Sequence, residues 1–172
     1  MIWERILGVF KLQANTFASI NSDPGARIQS ALIVTLVAVL LALGSRISPI
    51  FGDLGVAANF SIAVAWTFIS WTLWAGIVYL SGRLLSGRRT SFSQLLTATG
   101  FAYAPQALAI LPWLGALVGA IWSLAAGFVA IRQALDLDNR RAAIVMIFGF
   151  GVYIGGVYLV LEALNFARQF LV

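Results

Sequence analysis

The sequence predicts an all-α fold: a polytopic membrane helical bundle of five transmembrane helices, with an N-terminal amphipathic helix at the membrane interface. Hydrophobic residues make up 61% of the 172 residues and charged residues only 10%. A soluble domain of this size needs far more polar surface around its core. The apolar residues form five long stretches, and the basic residues lie between them. The length indicates one domain over residues 1–172.

The first element is an amphipathic helix within residues 1–22. Its apolar side chains recur at the spacing of one helical face, and they are Trp3, Ile6, Leu7, Phe10, Ala14 and Phe17. Leu12 departs from the pattern, and the polar run 21–25 ends the helix. Such a helix either lies in the headgroup interface or packs against the protein's own bundle, and the pattern favours neither.

Five apolar stretches follow, and a helix needs about 20 apolar residues to cross a bilayer. The predicted spans cover residues 28–43, 57–80, 92–111, 113–135 and 142–164. The third is the most polar, because it contains Gln94, Thr97, Thr99, Pro105 and Gln106. If this stretch were re-entrant, four spans would remain. We expect five.

The basic residues are divided unevenly between the two sides of such a bundle. Nine lie on one side, and they are Arg5, Lys11, Arg27, Arg83, Arg88, Arg89, Arg132, Arg140 and Arg141. Only Arg46 and Arg168 lie on the other side. Because basic loops stay in the cytoplasm, we expect a cytoplasmic N-terminus and an outside C-terminus. The six arginines between residues 83 and 141 should then contact lipid headgroups.

Small residues are regularly spaced in the last two spans. Gly115, Gly119, Ser123 and Gly127 recur every four residues, and Gly151 and Gly155 repeat the pattern. Small residues let another helix backbone approach closely, and such faces are a main source of helix association in lipid. We favour packing of the fourth span on the fifth over a homodimer face.

The middle of the third span contains an expected kink. Pro105 has no N–H, so the carbonyl of Phe101 loses its usual helical partner. Gly100, Tyr103 and Gln106 surround this point. Two interpretations stay open: the kink shapes a short helical hairpin, which we favour, or an unwound turn with Tyr103 and Gln106 lines a binding cleft.

The composition argues against catalysis. The chain has no cysteine and no histidine, which excludes thiol nucleophiles, Cys/His zinc sites and histidine acid–base chemistry. No Asp, Glu, Lys or Arg lies near the centre of any predicted span, although proton relays and ion-coupled transporters usually place one there. We find no phosphate-binding loop, clustered carboxylates or nucleic-acid motif. We therefore expect no catalytic residue, metal or cofactor.

Several short motifs resemble the core of Yip1-domain membrane proteins. They are Phe101-Ala102-Tyr103-Ala104-Pro105, Leu111-Pro112, Gly115, Ile121-Trp122 and Arg141-Ala142. The family pattern is also matched by Asp23-Pro24 after the amphipathic N-terminal segment, and by Ala31 at the start of the first span. The resemblance covers nearly the whole chain and implies the five-span helical fold.

The resemblance also bears on partners and location. Eukaryotic Yip1 proteins are linked with Rab GTPases and vesicle traffic. This sequence lacks their long cytosolic extension and their acidic Asp-Leu-Tyr-Gly-Pro element, so a small-GTPase partner is not expected. Its compact form is similar to bacterial and archaeal members, which implies a prokaryotic cytoplasmic membrane.

Three functions are compatible with these features. The favoured one is a non-catalytic scaffold or accessory subunit that binds other integral membrane proteins, or a second copy, through its small-residue faces. The second is a lipid-binding or membrane-shaping protein acting through its basic loops. The third is a small transporter or channel that uses the kinked third span.

Overall fold

A computed structural model describes residues 1–44, 55–86, 90–111 and 113–171 of the chain. Within these ranges the chain is almost entirely helical. In chain order the elements are α1 (Ile2–Phe10), α2 (Ala14–Ser22), α3 (Ala26–Gly44), α4 (Val56–Ser86), α5 (Phe92–Ala102), a 3-10 helix (Ala104–Ile110), α6 (Leu114–Leu135) and α7 (Asn139–Leu171).

Four of the described helices are long and apolar enough to cross a membrane, judged by length and composition. They are α3, α4 over Val56–Leu84, α6, and α7 over Asn139–Leu159. They coincide, within a few residues at most ends, with the first, second, fourth and fifth predicted spans. The chain is therefore an all-helical membrane bundle.

The third predicted span, residues 92–111, is not one continuous helix. Helix α5 ends at Ala102, and the 3-10 helix begins at Ala104 with Pro105 in its first turn. Proline is tolerated there because its missing N–H would be unpaired in any case. The break lies before Pro105 because the backbone N–H of Tyr103 bonds the carbonyls of both Thr99 and Gly100, at 3.1 and 3.2 Å, and so tightens the last turn. Helix α5 alone is about 16 Å long, too short to cross a bilayer.

The predicted single helix over residues 1–22 is two helices, α1 and α2, which form a hairpin. The chain turns at Leu12, whose φ of 54° lies in the left-handed region, and the N–H of Gln13 donates to the carbonyl of Gly8 at 2.9 Å. Gly8 is required at this contact, because a Cβ there would lie 2.8 Å from Cγ2 of Thr16. The turn gives Leu12 a structural role that the helical periodicity did not predict.

This N-terminal hairpin packs into the bundle. Val9, Phe17 and Ile20 are at most 1% exposed, and they share one core with residues of α5 and α6 such as Phe101 and Ala126. Trp3 and Leu7, in contrast, are largely exposed. The hairpin therefore buries most of its apolar face in protein and leaves part of α1 uncovered.

A polar contact fixes α1 to the start of α3. The Arg5 guanidinium donates to Oδ2 of Asp23 at 2.6 Å and to Oε1 of Gln29 at 2.8 Å. The Arg5 hydrogen bond, helped by the backbone N–H of Gly25, holds the pKa of the Asp23 carboxyl below its usual range. This contact stabilises the hairpin in one orientation.

Two tryptophans, the half-exposed Trp122 and the buried Trp71, donate to backbone carbonyls of other elements. Trp122 Nε1 bonds the carbonyl of Phe10 at 2.9 Å, and Trp71 Nε1 bonds that of Leu96 at 3.1 Å. Buried indole N–H groups need such partners. Trp122 thereby joins the middle of α6 to the turn of the N-terminal hairpin.

Replacing Trp122 with phenylalanine should loosen the N-terminal hairpin. The variant loses one hydrogen bond, worth about 1 kcal/mol, and leaves the Phe10 carbonyl without its indole donor. Hydrogen exchange of residues 1–22 should accelerate several-fold, while exchange in α3 stays unchanged. The matched control is Trp113→Phe, whose side chain is 84% exposed. Equal exchange in the two variants would contradict this assignment.

One end of the bundle, here called the basic end, contains the α2–α3 turn, the end of α4, the start of α5 and the end of α6. Thr90 Oγ1 donates to the carbonyl of Ala134 at 2.9 Å, and a Cβ on Gly82 would lie 2.6 Å from Leu135. Asp138 begins α7 at this end, where it accepts from the N–H of Arg141 at 2.8 Å. The exposed arginines of the described loops therefore collect at one end.

Candidate helix-packing faces and an intramembrane cleft

The small-residue face of α6 is occupied by the chain itself. A Cβ on Gly115 would collide with the carbonyl oxygen of Leu108, and one on Gly119 would lie 2.8 Å from that of Pro105. The small-residue spacing predicts α7 as the neighbour of this face, but the 3-10 helix covers its outer part. Only Gly127 approaches α7, where its Cβ would lie 3.9 Å from Cε of Met146. The 3-10 helix packs this closely because two glycines admit its backbone.

The glycines of α7 have a different environment. Around Gly151 and Gly155, a Cβ would meet nothing within 4 Å among the described residues. Gly149, on the other face, would place a Cβ 3.6 Å from the Trp74 ring. Only 17% of the most apolar stretch of α7 is buried, against 39% for both α3 and α6. Helix α7 therefore packs on α4 and leaves the face with Gly151 and Gly155, here called the open α7 face, without a neighbour in the described part of the chain.

Gly100 lies where α3, α4 and α5 meet. A Cβ at this position would collide with the Ser30 hydroxyl and lie 3.0 Å from the Trp71 ring. The predicted kink region is therefore a close three-helix contact on one side. Sequence reasoning missed Ser30 and Trp71 as its partners, because a single serine in an apolar stretch carries no periodic signal.

Tyr103 and Gln106 lie on the other side of this region and line a cleft of about 310 Å³ between α4, α5, the 3-10 helix, α6 and α7. Most of its wall is apolar, with Trp74, Leu124 and Phe150 as examples. Both interpretations of the kink therefore have a counterpart in the structure. The kink shapes the packing around Gly100, and Tyr103 and Gln106 line a cleft beside it.

The cleft wall carries hydroxyl groups of two kinds. Thr67 and Thr99 donate to carbonyls of their own helices, at 2.9 and 2.8 Å, as hydroxyls in apolar helices usually do. Ser70 and Ser123 are buried, at 7% and 9% exposure, and their oxygens have no hydrogen-bond partner among the described residues. From the sequence, Ser123 is expected only as a small packing residue, and no motif marks Ser70 as a cleft residue.

No charged side chain lines the cleft. Elsewhere in the described ranges, no group of three His, Cys, Asp or Glu side chains is placed to hold a metal ion. The cleft therefore offers hydroxyl, amide and aromatic groups. These suit the binding of an uncharged group.

Four of the predicted headgroup arginines lie at the basic end. Arg83 lies over the Tyr79 ring at 5.7 Å, and Arg132 donates to Asn139 at 2.9 Å. Arg141 forms a 3.7 Å ion pair with Asp138 in which both side chains are mostly exposed, a geometry that contributes little to stability. Arg140 is exposed, and Arg88 and Arg89 lie outside the described residues.

Comparison with known proteins places this architecture in a family. No curated protein and no solved structure matches the chain. The sequence model of the Yip1 domain matches residues 7–161, a range that begins in α1 and ends in α7 and so contains the α6 packing face, the broken third stretch and the cleft. The resemblance noted in the sequence is confirmed, and the chain belongs to the Yip1 domain family.

Proposed function

We propose that this chain is a non-catalytic scaffold or accessory subunit that binds another integral membrane protein along the open α7 face. The observation that carries the proposal is the contrast between two glycine faces. The space beside Gly115 and Gly119 is occupied by the chain's own backbone. A Cβ added at Gly151 or Gly155, in contrast, would have no atom of the described residues within 4 Å.

The surroundings of the two open glycines suit a partner helix. Ile144, Phe148 and Leu159 lie near the same side of α7, and each is more than half exposed. Large side chains that flank a pair of small residues form a groove into which another helix packs closely. Helix α7 packs on α4 with its other face, where Gly149 lies beside the Trp74 ring, so binding on the open α7 face leaves that contact unchanged.

We also propose that the chain crosses the membrane five times. The support is that α5 and the 3-10 helix together run beside α6 along its whole length, from Thr90 near Ala134 to Leu108 near Gly115. Helix α6 is about 33 Å long, which matches the hydrocarbon thickness of a bilayer. With the basic end in the cytoplasm, the N-terminus is inside and the C-terminus outside a prokaryotic cytoplasmic membrane.

Photo-crosslinking in native membranes tests the partner proposal. A photoreactive phenylalanine at Val152, which is 44% exposed on α7, should give one discrete protein adduct. The same group at Leu36, which is 57% exposed on α3, should give none of that mass. The double substitution Gly151→Leu and Gly155→Leu should abolish the adduct by filling the groove, with no change in the melting temperature of the purified chain.

The matched control is Gly76→Leu, because Gly76 on α4 also has nothing within 4 Å but faces elsewhere. It should leave the Val152 adduct intact. Adducts to lipid alone, or to a second copy of this chain alone, would contradict the scaffold proposal.

A further inference from the structure

The cleft contains polar groups that the protein leaves unused. Ser70 and Ser123, on α4 and α6, are more than nine-tenths buried and have no hydrogen-bond partner among the described residues. A buried polar group without a partner costs free energy, and this cost is greatest where no water is present.

Several hydroxyls of α3 and α4 are paired instead. Thr35, Ser61, Thr67 and Ser81 each donate to a carbonyl one turn earlier in their own helix, at 2.8–2.9 Å. Three buried hydroxyls of the described residues have no partner, and two of them, Ser70 and Ser123, line the cleft, where a bound molecule would pair with them. The third, Ser30, lies against Gly100.

The position of the cleft indicates how its occupant enters. Trp66, Leu124 and Phe150 line it and are 38%, 41% and 41% exposed. All three lie well inside the apolar parts of α4, α6 and α7. The cleft thus opens sideways, through the apolar belt of the bundle, so its occupant arrives from the surrounding lipid.

The geometry points to a binding site for an uncharged lipid alcohol, a molecule such as diacylglycerol whose free hydroxyl pairs with Ser70 and Ser123 while its chains extend through the side opening. The described lining has no cationic side chain to pair with an anionic headgroup. The volume of about 310 Å³ holds the polar end of such a lipid and the first part of a chain. This inference is independent of partner binding on the open α7 face.

Photoaffinity labelling of the full chain in phosphatidylcholine vesicles tests the site. The probe is diacylglycerol that carries a diazirine near its glycerol end. Saturable labelling should appear on peptides that contain Ser70 or Ser123, and unlabelled diacylglycerol should compete for it. The analogue with its free hydroxyl acetylated should compete about ten-fold more weakly, because it lacks the donor.

Variants separate binding from folding. The double substitution Ser70→Ala and Ser123→Ala should raise the half-saturating probe concentration about ten-fold. Its melting temperature without lipid alcohol should equal or exceed that of the natural chain, because two unpaired buried hydroxyls are removed. The control double substitution Thr35→Ala and Ser61→Ala removes hydroxyls outside the cleft and should label normally.

A second variant tests the cavity by filling it. Gly127→Leu places a side chain where a Cβ meets only Met146, at 3.9 Å, and should abolish the saturable labelling. The proposal is overturned if phosphatidic acid competes as well as diacylglycerol. It is also overturned if labelling is not saturable, or if the Ser70→Ala and Ser123→Ala variant labels like the natural chain.

Discussion

Replacing Gly119 with alanine is expected to lower the stability of the bundle by about 2–3 kcal/mol, the upper part of the range for an overpacked core. The added Cβ would lie 2.8 Å from the carbonyl oxygen of Pro105 and 3.3 Å from Cα of Gln106. Both are backbone atoms of a short helix that is packed on two sides, so neither can move aside without shifting the whole segment. In detergent the melting temperature should fall by about 5–10 °C.

The matched control is Gly151→Ala, a substitution of the same size in a neighbouring helix where a Cβ meets nothing within 4 Å. Its melting temperature should equal that of the natural chain or rise slightly, because alanine favours helix over glycine. Equal melting temperatures for the two variants would show that the 3-10 helix does not pack on α6 as described.

Replacing Gly100 with alanine should destabilise the bundle by a similar amount, about 2–3 kcal/mol. Here the new methyl group would collide with the Ser30 hydroxyl and would also lie 3.0 and 3.2 Å from two atoms of the Trp71 ring. Since Trp71 is fixed by its hydrogen bond to Leu96, α3 and α5 must separate to admit the methyl group. Thermal unfolding in detergent measures the loss.

A second substitution identifies the cause of that loss. Ser30→Ala removes the atom in collision, so the double variant Ser30→Ala with Gly100→Ala should recover about half of the lost stability, with the Trp71 contact accounting for the rest. The coupling between nearby sites in such a cycle measures their interaction. Additive effects of the two substitutions would rule out a direct contact between residues 30 and 100.

The spanning helices could be predicted from the sequence because hydropathy is a local property. Residues 28–43 and 113–135 are apolar almost throughout, and any long apolar run must form a helix in lipid to satisfy its own backbone. The presence of Pro105 likewise indicated a disturbed third stretch. The sequence does not predict that α5 ends at Ala102, before Pro105, because this end depends on how the last turn of the helix tightens.

The tertiary contacts were harder to predict, since periodicity gives the face of a helix and not its neighbour. The spacing of Gly115 and Gly119 indicated close packing, but it could not distinguish the 3-10 helix from α7. The split of residues 1–22 depends on a left-handed turn at Leu12, a residue type that gives no turn signal. Ser70 and Ser123 could not be predicted as neighbours, because only the fold brings α4 and α6 together around one cleft.

The N-terminal hairpin has a consequence for the order of biosynthesis. Phe17 leaves the ribosome well before its core neighbours Phe101 and Ala126, which are translated more than 80 residues later. Until α5 and α6 have been made, the apolar side of the hairpin has no protein to cover it, and Trp3 and Leu7 give it an affinity for the bilayer surface in the meantime. The hairpin can therefore dock only after α6 has been made, so a chain truncated before α6 should retain an undocked, protease-sensitive N-terminal hairpin.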